Sequence, residues 1–442
     1  MSYKILSLDG GGSWALIQAC VLKDIYGDIN GHALLKQFDL VISNSGGSLV
    51  LACLCNDMKI SEIISVFEDE QLRKQVFSKL TFVEELNPRD MMAILRKFIG
   101  IGPKYSTERK LKGIIDVLTT KDHLFKEGVV KQPIIQTPMN ELPVIIGKPD
   151  LQLVIVGFDY VHERVSFFRS NMLSNTDKFS AKYFAMPLSH AIHASSNAPV
   201  NYFDEAAVTK PFIRKPKPGF NDTIYMMTSW YWDGAVSGFN NPVLAGLIEA
   251  MTNGTPAKDC CILSLGTGTG GKVLLSDKIT SNDPEDVQIC QVNKNNKLVD
   301  TGTSFDFVMD IKKMSTSILD DPPDSATFIA YSIMDPSLSN NANLIRINPC
   351  YNPVMNKTTH VYEVPQAYMT DKDPEKKLLN LMQLGMDAVE NQEVELITDL
   401  CNKFVTGNKI CIANQFIRGD SSTCYLGQPT YAEAKEKWQK CM

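Results

Sequence analysis

The sequence is poor in the features that mark membrane spans and nucleic-acid binding. It has no run near the roughly 18 consecutive apolar residues of a membrane-spanning helix. It also has no excess of positive charge, since 44 Lys and Arg stand against 50 Asp and Glu. The resulting net charge of −6 gives no field that would hold a phosphate backbone, so nucleic acid is not an expected partner. The first residues, MSYKILSLDGGG, lack the basic and apolar regions of a signal peptide. We therefore expect a cytoplasmic protein.

Metal-ligand spacing is also missing. The eleven cysteines are scattered and mostly lie in apolar runs such as LACLC and KDCCILSL, without the paired Cys or Cys/His spacing that zinc requires. They are predicted to be buried free thiols in a reducing compartment. None of the six histidines has a placement that points to a catalytic base. The strongest candidate is His193, in AIHASS, although a structural role is the commoner one for such a residue. We expect no metal and no cofactor.

What the sequence does have is a repeated pattern of short buried strands followed by glycine and a helix. Its 442 residues, 44% hydrophobic and 21% charged, are typical of globular proteins. KILSL leads into DGGG and a helix over Ser13 to Tyr26, and FDLVIS leads into NSGG and a helix through Cys55. Further buried strands are predicted at 151–159, 229–233 and 260–268. This alternation predicts an α/β fold with a parallel sheet.

The remaining segments are predicted to be loops and helices. The stretch from Phe203 to Asn221 contains KPFIRKPKPGF, is rich in Pro and Lys, and is predicted to be an excursion loop. The polar region from Ser281 to Thr303 is also predicted to be a loop. The last hundred residues carry helical patterns, notably EKKLLNLMQLGMDAVENQEVELITDLCNKFV.

Ser45 lies in FDLVISNSGGSLVLACL, where a buried strand runs into a glycine pair and an apolar helix. A sharp strand-to-helix turn of this kind can expose a nucleophilic hydroxyl at the carboxyl edge of a sheet. The pattern is S-x-S-x-G, with Ser43 and Gly47 two residues either side of Ser45, rather than G-x-S-x-G. On the motif alone, a strand-helix turn with a capping serine explains the residues as well.

Two further features could complete a site. Gly10, Gly11 and Gly12 follow the first strand, and their backbone amides could face a phosphate or the oxyanion of acyl transfer. The loop is a poor dinucleotide fingerprint because Ala15 replaces the third spaced glycine. Asp233 ends an aromatic strand, where a partly dry setting would strengthen it as a base. A tight turn and a capping aspartate are the corresponding structural explanations.

Seven ordered segments together are more specific than any one motif. They are ILSLDGGG, FDLVISNSGGSL, PKYS, LVIVGFDYVHERVSFFRS, AIHASSNAPVNYF, WDGAVSGFNNP and LSLGTGTG. In these segments the sequence resembles the patatin-like phospholipases over about its first 270 residues. The resemblance departs in two places: Ser13, Trp14 and Ala15 follow the glycines where the family usually has a basic residue and a further glycine, and Ser43 replaces the first glycine of the elbow.

The resemblance implies a three-layer α/β/α fold with a mainly parallel central sheet, a catalytic core over residues 1–270, and a C-terminal extension over 271–442 that completes or packs on the same domain. It implies Ser45 as the nucleophile and Asp233 as the base, without a metal. It assigns the oxyanion and substrate-binding role to Gly10, Gly11, Gly12 and Gly46. The implied function is a lipid acyl hydrolase of the phospholipase A type that acts on phospholipids or galactolipids through transient contact with the membrane.

Alternatives remain at this stage. The same dyad could hydrolyse soluble acyl esters or thioesters, and a catalytically weak or silent protein could bind lipid or a protein partner. Trp14, after the glycine loop, could alter access of lipid. The excursion loop, with Lys210 to Lys217, Phe212 and Phe220, could rest on an anionic bilayer, although a solvated loop is the commoner arrangement. The sequence identifies no protein activator.

Overall fold

The computed structural model describes residues 2–81, 102–119, 133–171, 186–199, 202–209, 229–268, 325–337, 341–349 and 430–442, together with short stretches and single positions between them. A central sheet of eight strands has the order β13-β9-β1-β2-β3-β8-β5, with β4 paired to β3. Its strands are β1 (Tyr3–Leu8), β2 (Leu40–Ser43), β3 (Gln152–Asp159), β4 (Arg164–Arg169), β5 (Ala207–Val208), β8 (Trp230–Asp233), β9 (Cys260–Leu265) and β13 (Leu344–Ile347). The strands β13, β9, β1, β2 and β3 are parallel neighbours, whereas β4, β8 and β5 are antiparallel additions.

Helices cover both faces of this sheet. They are α1 (Leu16–Tyr26), α2 (Gly31–Leu35), α3 (Ser45–Cys55), α4 (Ile60–Glu68), α5 (Glu70–Val76), α6 (Thr107–Thr119), α7 (Leu142–Ile146), α8 (Leu188–Ser195), α9 (Val243–Thr252), α10 (325–334) and α11 (Tyr431–Cys441). Single 3-10 turns occur at Gly12–Ala15, Ile134–Gln136, Met139–Glu141, Gly234–Ser237 and Ala257–Asp259.

The apolar residues of the strands divide between two faces, because successive side chains of a strand point in opposite directions. In β1, Leu6 and Leu8 pack with the cluster that contains α1, α3 and α11, whereas Ile5 packs with the cluster that contains α9 and α10. The sheet is therefore buried on both sides. This arrangement confirms the predicted α/β fold with a mainly parallel sheet, and it explains why the strands are continuous apolar runs.

The predicted elements of the first part of the chain are present with shorter bounds. The helix predicted from Ser13 begins as a 3-10 turn and becomes α-helical at Leu16, and the strand predicted over FDLVIS forms only at Leu40–Ser43. The predicted division into a catalytic core over residues 1–270 and a C-terminal extension over 271–442 remains a prediction. Segments from beyond that boundary contact the core: α10 packs on the sheet, β13 pairs with β9, and Trp438 of α11 is buried, stacks on Phe38 and donates a hydrogen bond to the Tyr26 hydroxyl over 2.8 Å.

Two segments predicted as loops contain strands. The predicted excursion, Phe203 to Asn221, includes β5 at the sheet edge and β6 (Phe212–Arg214), which pairs with β7 (Tyr225–Met227) beyond the end of the predicted loop. The region from Ser281 to Thr303 contains β11 (Ile289–Val292) and β12 (Leu298–Asp300), which form a small sheet with β10 (Leu274–Leu275). Further along the chain, β14 (Val354–Met355) pairs with β15 (Tyr362–Glu363). Short apolar and β-branched runs such as ICQV favour strands even inside polar sequence. The helical pattern predicted after 374 lies mostly outside the described residues; positions 394–395, 397–398, 401–402 and 405 are helical.

Candidate active site

The sheet topology brings the two predicted dyad residues to one point. Strand β4 occupies one edge of β3 over Val154 to Asp159, so β2 and β8 must share the opposite edge. They approach each other from opposite directions. The last residue of β2, Ser43, pairs with Ile155, and the last residue of β8, Asp233, pairs with Gly157. The turns that follow β2 and β8 therefore lie next to each other at this edge of β3.

Ser45 lies on the turn that follows β2. Its backbone φ is +47°, a conformation that L residues rarely adopt and that costs about 1–3 kcal/mol, and α3 begins at this residue. The two glycines that follow allow the helix to approach the sheet. A Cβ on Gly47 would lie 2.6 Å from the Leu8 carbonyl oxygen, and one on Gly46 would lie 2.5 Å from the Gly12 carbonyl oxygen. A positive φ and closely packed glycines are typical of a strained strand-to-helix elbow, one of the two interpretations that the sequence left open, and Ser43 is accommodated inside the strand.

Asp233 is buried and is held by several donors. Its Oδ1 accepts hydrogen bonds from the Asn44 side-chain amide over 3.0 Å and from the Ala235 backbone amide over 2.9 Å. Burial raises the pKa of the Asp233 carboxyl above its usual range, while hydrogen bonds from Ser45, Ala235 and Asn44 and the charge of Lys110 offset part of that rise. A carboxylate of raised pKa, bonded to a serine hydroxyl, can accept the proton of that hydroxyl.

Two neighbouring side chains connect the nucleophile to the base. The Ser195 hydroxyl accepts a hydrogen bond from the Ser45 amide over 2.9 Å and donates one to Asn44 Oδ1 over 3.3 Å. The other end of the Asn44 amide is the donor to Asp233. Sequence reasoning missed both residues. The position of Asn44 directly before the elbow was a signal that could have identified it, whereas Ser195 comes from a distant helix.

The glycine loop is anchored rather than open along its whole length. The Gly10 amide donates to the Asn240 carbonyl over 2.9 Å, so in this structure Gly10 is not an available oxyanion donor. A Cβ there would lie 2.2 Å from Asn240 Oδ1, which shows that Gly10 serves close packing. Gly11 has a φ of +152° and packs against Thr267, whose hydroxyl donates to the Gly10 carbonyl over 2.7 Å.

A buried ion pair fixes the start of this loop. Arg346 of β13 donates to the Asp9 carboxylate over 2.5 Å and to the Ser264 hydroxyl over 2.9 Å, and both charged side chains are buried. Arg346 lies in the predicted C-terminal extension, and no role for it was predicted. The pair ties the glycine loop to two parallel strands of the sheet.

A cleft with about 340 Å³ of empty space, part of it open to solvent, lies beside Ser45. Gly12, Ser45 and Gly46 lie on one wall, and Lys110 is the only charged residue among the described residues that line it. The amide of the residue after a nucleophile is a usual oxyanion donor, and it lies at the N-terminus of a helix, where negative charge is favoured. Of the four predicted glycines, Gly12 and Gly46 therefore share the cleft with Ser45, whereas Gly10 and Gly11 do not line it.

An apolar pocket with about 490 Å³ of empty space, part of it open to solvent, adjoins this cleft. It lies between α3, α4, α5 and α6, and apart from Ser13 and Arg73 its lining residues are Leu49, Cys53, Val66, Phe67, Leu72, Val76, Phe77, Ile114, Val117 and Leu118. Three of them, Leu49, Val76 and Phe77, also line the cleft beside Ser45. The two spaces therefore meet at these side chains.

Other candidates from the sequence lie elsewhere. His193 is buried, burial and the nearby charge of Lys110 lower the pKa of its ring well below the usual range, and among the described residues it makes no hydrogen bond to Ser45 or Asp233. Trp14 is buried in the core and lines neither the cleft beside Ser45 nor the apolar space next to it, so the structure gives no support to a role in lipid access. The side chains of the segment from Lys210 to Phe220 lie outside the described residues.

Within the described part of the chain, no group of three or more His, Cys, Asp or Glu side chains could hold a metal ion. No described helix is long and apolar enough to cross a bilayer. The seven cysteines that the structure describes are free thiols, and five of them are buried.

Comparison with known proteins identifies similar chains. A family model described as patatin-like phospholipase matches residues 6–247, more than half of the chain. Among solved structures, VipD from Legionella pneumophila is 12% identical, with 91% of this chain and 67% of VipD covered and a TM-score of 0.32. A structure of SpcU with ExoU from the type III secretion system of Pseudomonas aeruginosa matches at 15% identity, covering 44% of this chain and 38% of the other, with a TM-score of 0.22. A further ExoU structure matches at 13% identity, 44% and 39% coverage, and a TM-score of 0.21. The chain thus spans less than two fifths of the ExoU chains. No curated protein sequence matches it significantly.

Proposed function

Because the chain belongs to the patatin-like phospholipase family, we propose that it is a lipid acyl hydrolase that cleaves fatty acyl esters of membrane phospholipids or galactolipids through a Ser45–Asp233 dyad. The observation that carries this proposal is the junction of β2 and β8, where Asn44, directly before Ser45, donates a hydrogen bond to the buried Asp233 carboxylate and the Ser45 side chain lowers the pKa of that carboxyl. Family membership supports a lipid hydrolase, and the contacts of these two residues support the dyad.

In the proposed reaction, Asp233 takes the proton of the Ser45 hydroxyl as the oxygen attacks the acyl carbonyl carbon. The carbon–oxygen bond to the leaving alcohol then breaks, and the alcohol takes up the proton held by Asp233, leaving an acyl-serine. Water adds to the acyl-serine with Asp233 again as the base, and fatty acid leaves with Ser45 regenerated. The raised pKa of Asp233 supports this role, because a weakly acidic carboxyl is a stronger base once ionised.

The oxyanion of each step needs donors on the same side of the cleft as Ser45. The positions of Gly12 and Gly46 on that wall support their backbone amides in this role, and one such donor is worth roughly 10²- to 10³-fold in turnover. The apolar cavity between α3 and α6 supports a fatty acyl chain as the group held during the reaction, since it offers apolar walls directly beyond the cleft. Contact with the membrane is proposed to be peripheral and transient.

The direct test is mass spectrometry of the products released from vesicles of mixed phospholipids and galactolipids. We expect free fatty acid and the matching lysolipid from the wild type, and none above background from Ser45→Ala or Asp233→Asn. Ser65→Ala, at an exposed serine on α4, is the matched control and should retain activity. Release of acid only from dispersed esters or thioesters, without a rise on vesicles, would favour a soluble-ester hydrolase. No release from any ester would favour a silent binding protein.

A further inference from the structure

Lys110 is a lysine where the helix pattern calls for an apolar residue. In α6 the buried positions include Gly113, Ile114, Val117 and Leu118, and Lys110 lies on the same face at helical spacing. Only 1% of the residue is exposed. Lysine is almost never fully buried unless its ammonium group has hydrogen-bond or charged partners. The partners of Lys110 therefore indicate what its burial does in this fold.

The ammonium group of Lys110 contacts the end of α8, the residues that follow it and the Phe203 ring. Its Nζ donates hydrogen bonds to the His193 carbonyl oxygen over 3.1 Å and to Asn197 Oδ1 over 3.3 Å, and it lies 4.2 Å from the centre of the Phe203 ring. His193 is in the last turn of α8, where a cation is favoured by the helix dipole. Lys110 thus fastens both the end of α8 and the residues that follow it.

The fastened segment, residues 193–197, is the one that holds both members of the dyad. The Ser195 hydroxyl accepts the Ser45 amide hydrogen bond over 2.9 Å, and the Asn197 carbonyl accepts the Asp233 amide hydrogen bond over 3.0 Å. A shift of this segment would therefore move the backbone of the nucleophile and of the base relative to each other.

Lys110 also acts on the site through its charge. It lines the cleft beside Ser45 and lowers the pKa of Asp233 against the larger effect of burial. Asp233 is faced by Ser45 and Asn44 from the elbow and by Ala235 from the following turn, and these three are uncharged. The pKa of His193 lies well below its usual range, so its ring on α8 is neutral at the pH of the reaction. Lys110 is then the cation that favours the ionised, basic form of Asp233.

We propose that Lys110 is a positioning residue of the dyad: its ammonium group holds residues 193–197, and through them the Ser45 and Asp233 backbones, in the geometry for proton transfer, and its charge favours the ionised form of Asp233. This inference rests on the proposed function. It predicts that Lys110 affects the chemical step more than the binding of substrate.

The test compares Lys110→Met with Lys112→Met, which removes an exposed lysine two residues further along the same helix. We expect Lys110→Met to lower kcat about 10- to 100-fold with KM within about twofold of the wild type. The acid limb of its pH profile of kcat/KM should move to higher pH, because Asp233 loses a nearby cation. Lys110→Arg, which keeps the charge, should move that limb back toward the wild type. Lys112→Met should match the wild type throughout.

The rate at which a fluorophosphonate labels Ser45 gives a second readout that needs no knowledge of the lipid substrate. Labelling should be slow in Lys110→Met and unchanged in Lys112→Met. If Lys110→Met does not fold, as judged by circular dichroism, Lys110→Gln replaces it, since glutamine keeps a donor and removes the charge. Equal kcat, pH profile and labelling in the Lys110 and Lys112 variants would overturn the inference while leaving the proposed function intact. A wild type that neither hydrolyses lipid nor is labelled at Ser45 would overturn both.

Discussion

At the scale of single residues, the role of base that we propose for Asp233 has a cost in stability. The carboxyl group is buried, and burial raises its pKa, so the folded protein binds its proton more tightly than the unfolded chain does. Holding the ionised form that a base requires therefore costs stability at neutral pH. Ser45 adds a second local cost through its positive φ.

Asp233→Asn should accordingly be inactive but more stable than the wild type at neutral pH. The amide keeps an oxygen that can accept from Asn44 and Ala235 and removes the buried charge, so we expect roughly 1 kcal/mol of stabilisation. Turnover should fall about 10²- to 10⁴-fold with loss of the base. Urea unfolding at several pH values, together with lipid hydrolysis, measures both effects.

The difference in stability between the wild type and Asp233→Asn should depend on pH. As pH rises from the pKa of the unfolded aspartate through the raised pKa of the folded one, the wild type should lose stability relative to Asp233→Asn. Below both pKa values the carboxyl is protonated in each state, and the difference should level off. Asp116→Asn, at an exposed position on α6, is the control and should track the wild type. A stability gap that does not change with pH would contradict the assignment.

The sequence allowed Ser45 and Asp233 to be proposed because each lies in a local pattern, a strand end followed by glycine. The residues around them could not be derived in this way. Ser195, Asn197 and Lys110 reach the site only through tertiary packing of α8 and α6 on the sheet edge, and sequence spacing carries no information on that packing. For Lys110 the sequence contains one signal, because this lysine occupies an otherwise apolar position on the buried face of its helix.

At the scale of elements, the glycine loop depends on strands at both ends of the chain. Asp9 follows β1, and Arg346 belongs to β13, so their buried ion pair joins the first strand of the core to a strand of the C-terminal part. The strand β1 was predictable as a continuous apolar run. The pairing of β1 with β9, and of β9 with β13, could not be predicted, because the sequence of one parallel strand does not specify which strands lie beside it.

Arg346→Met should destabilise the protein by about 3–5 kcal/mol, because it leaves the Asp9 carboxylate buried without this cation. The double variant Asp9→Asn, Arg346→Met should be less destabilised than Arg346→Met alone, since the second change removes the stranded charge. Urea unfolding of the two single variants and the double variant measures the coupling. Strictly additive losses would show that the two side chains do not act as a pair.

At the scale of the whole molecule, the helices α3, α4, α5 and α6 form an apolar space on one side of the sheet edge where Ser45 lies. Leu49 stands between the two cavities, one helical turn after Ser45 on α3, and it lines both. If the protein has the proposed function, an acyl chain longer than the cleft must pass this residue to reach the space beyond. We therefore expect chain-length preference to depend on Leu49, a residue with no proposed role in the chemistry.

Leu49→Trp should narrow the junction and lower the ratio of kcat/KM for long-chain over short-chain esters about tenfold. This corresponds to roughly 1.4 kcal/mol, within the range of overpacking a filled apolar site. The measurement uses a series of p-nitrophenyl esters from butyryl to palmitoyl below their critical micelle concentrations. Ile248→Trp, at an exposed apolar residue of α9 on the other face of the sheet, is the matched control and should leave the ratio unchanged. An equal loss for all chain lengths in Leu49→Trp would mean that the indole disturbs the elbow itself, and an unchanged ratio would place the acyl chain outside this cavity.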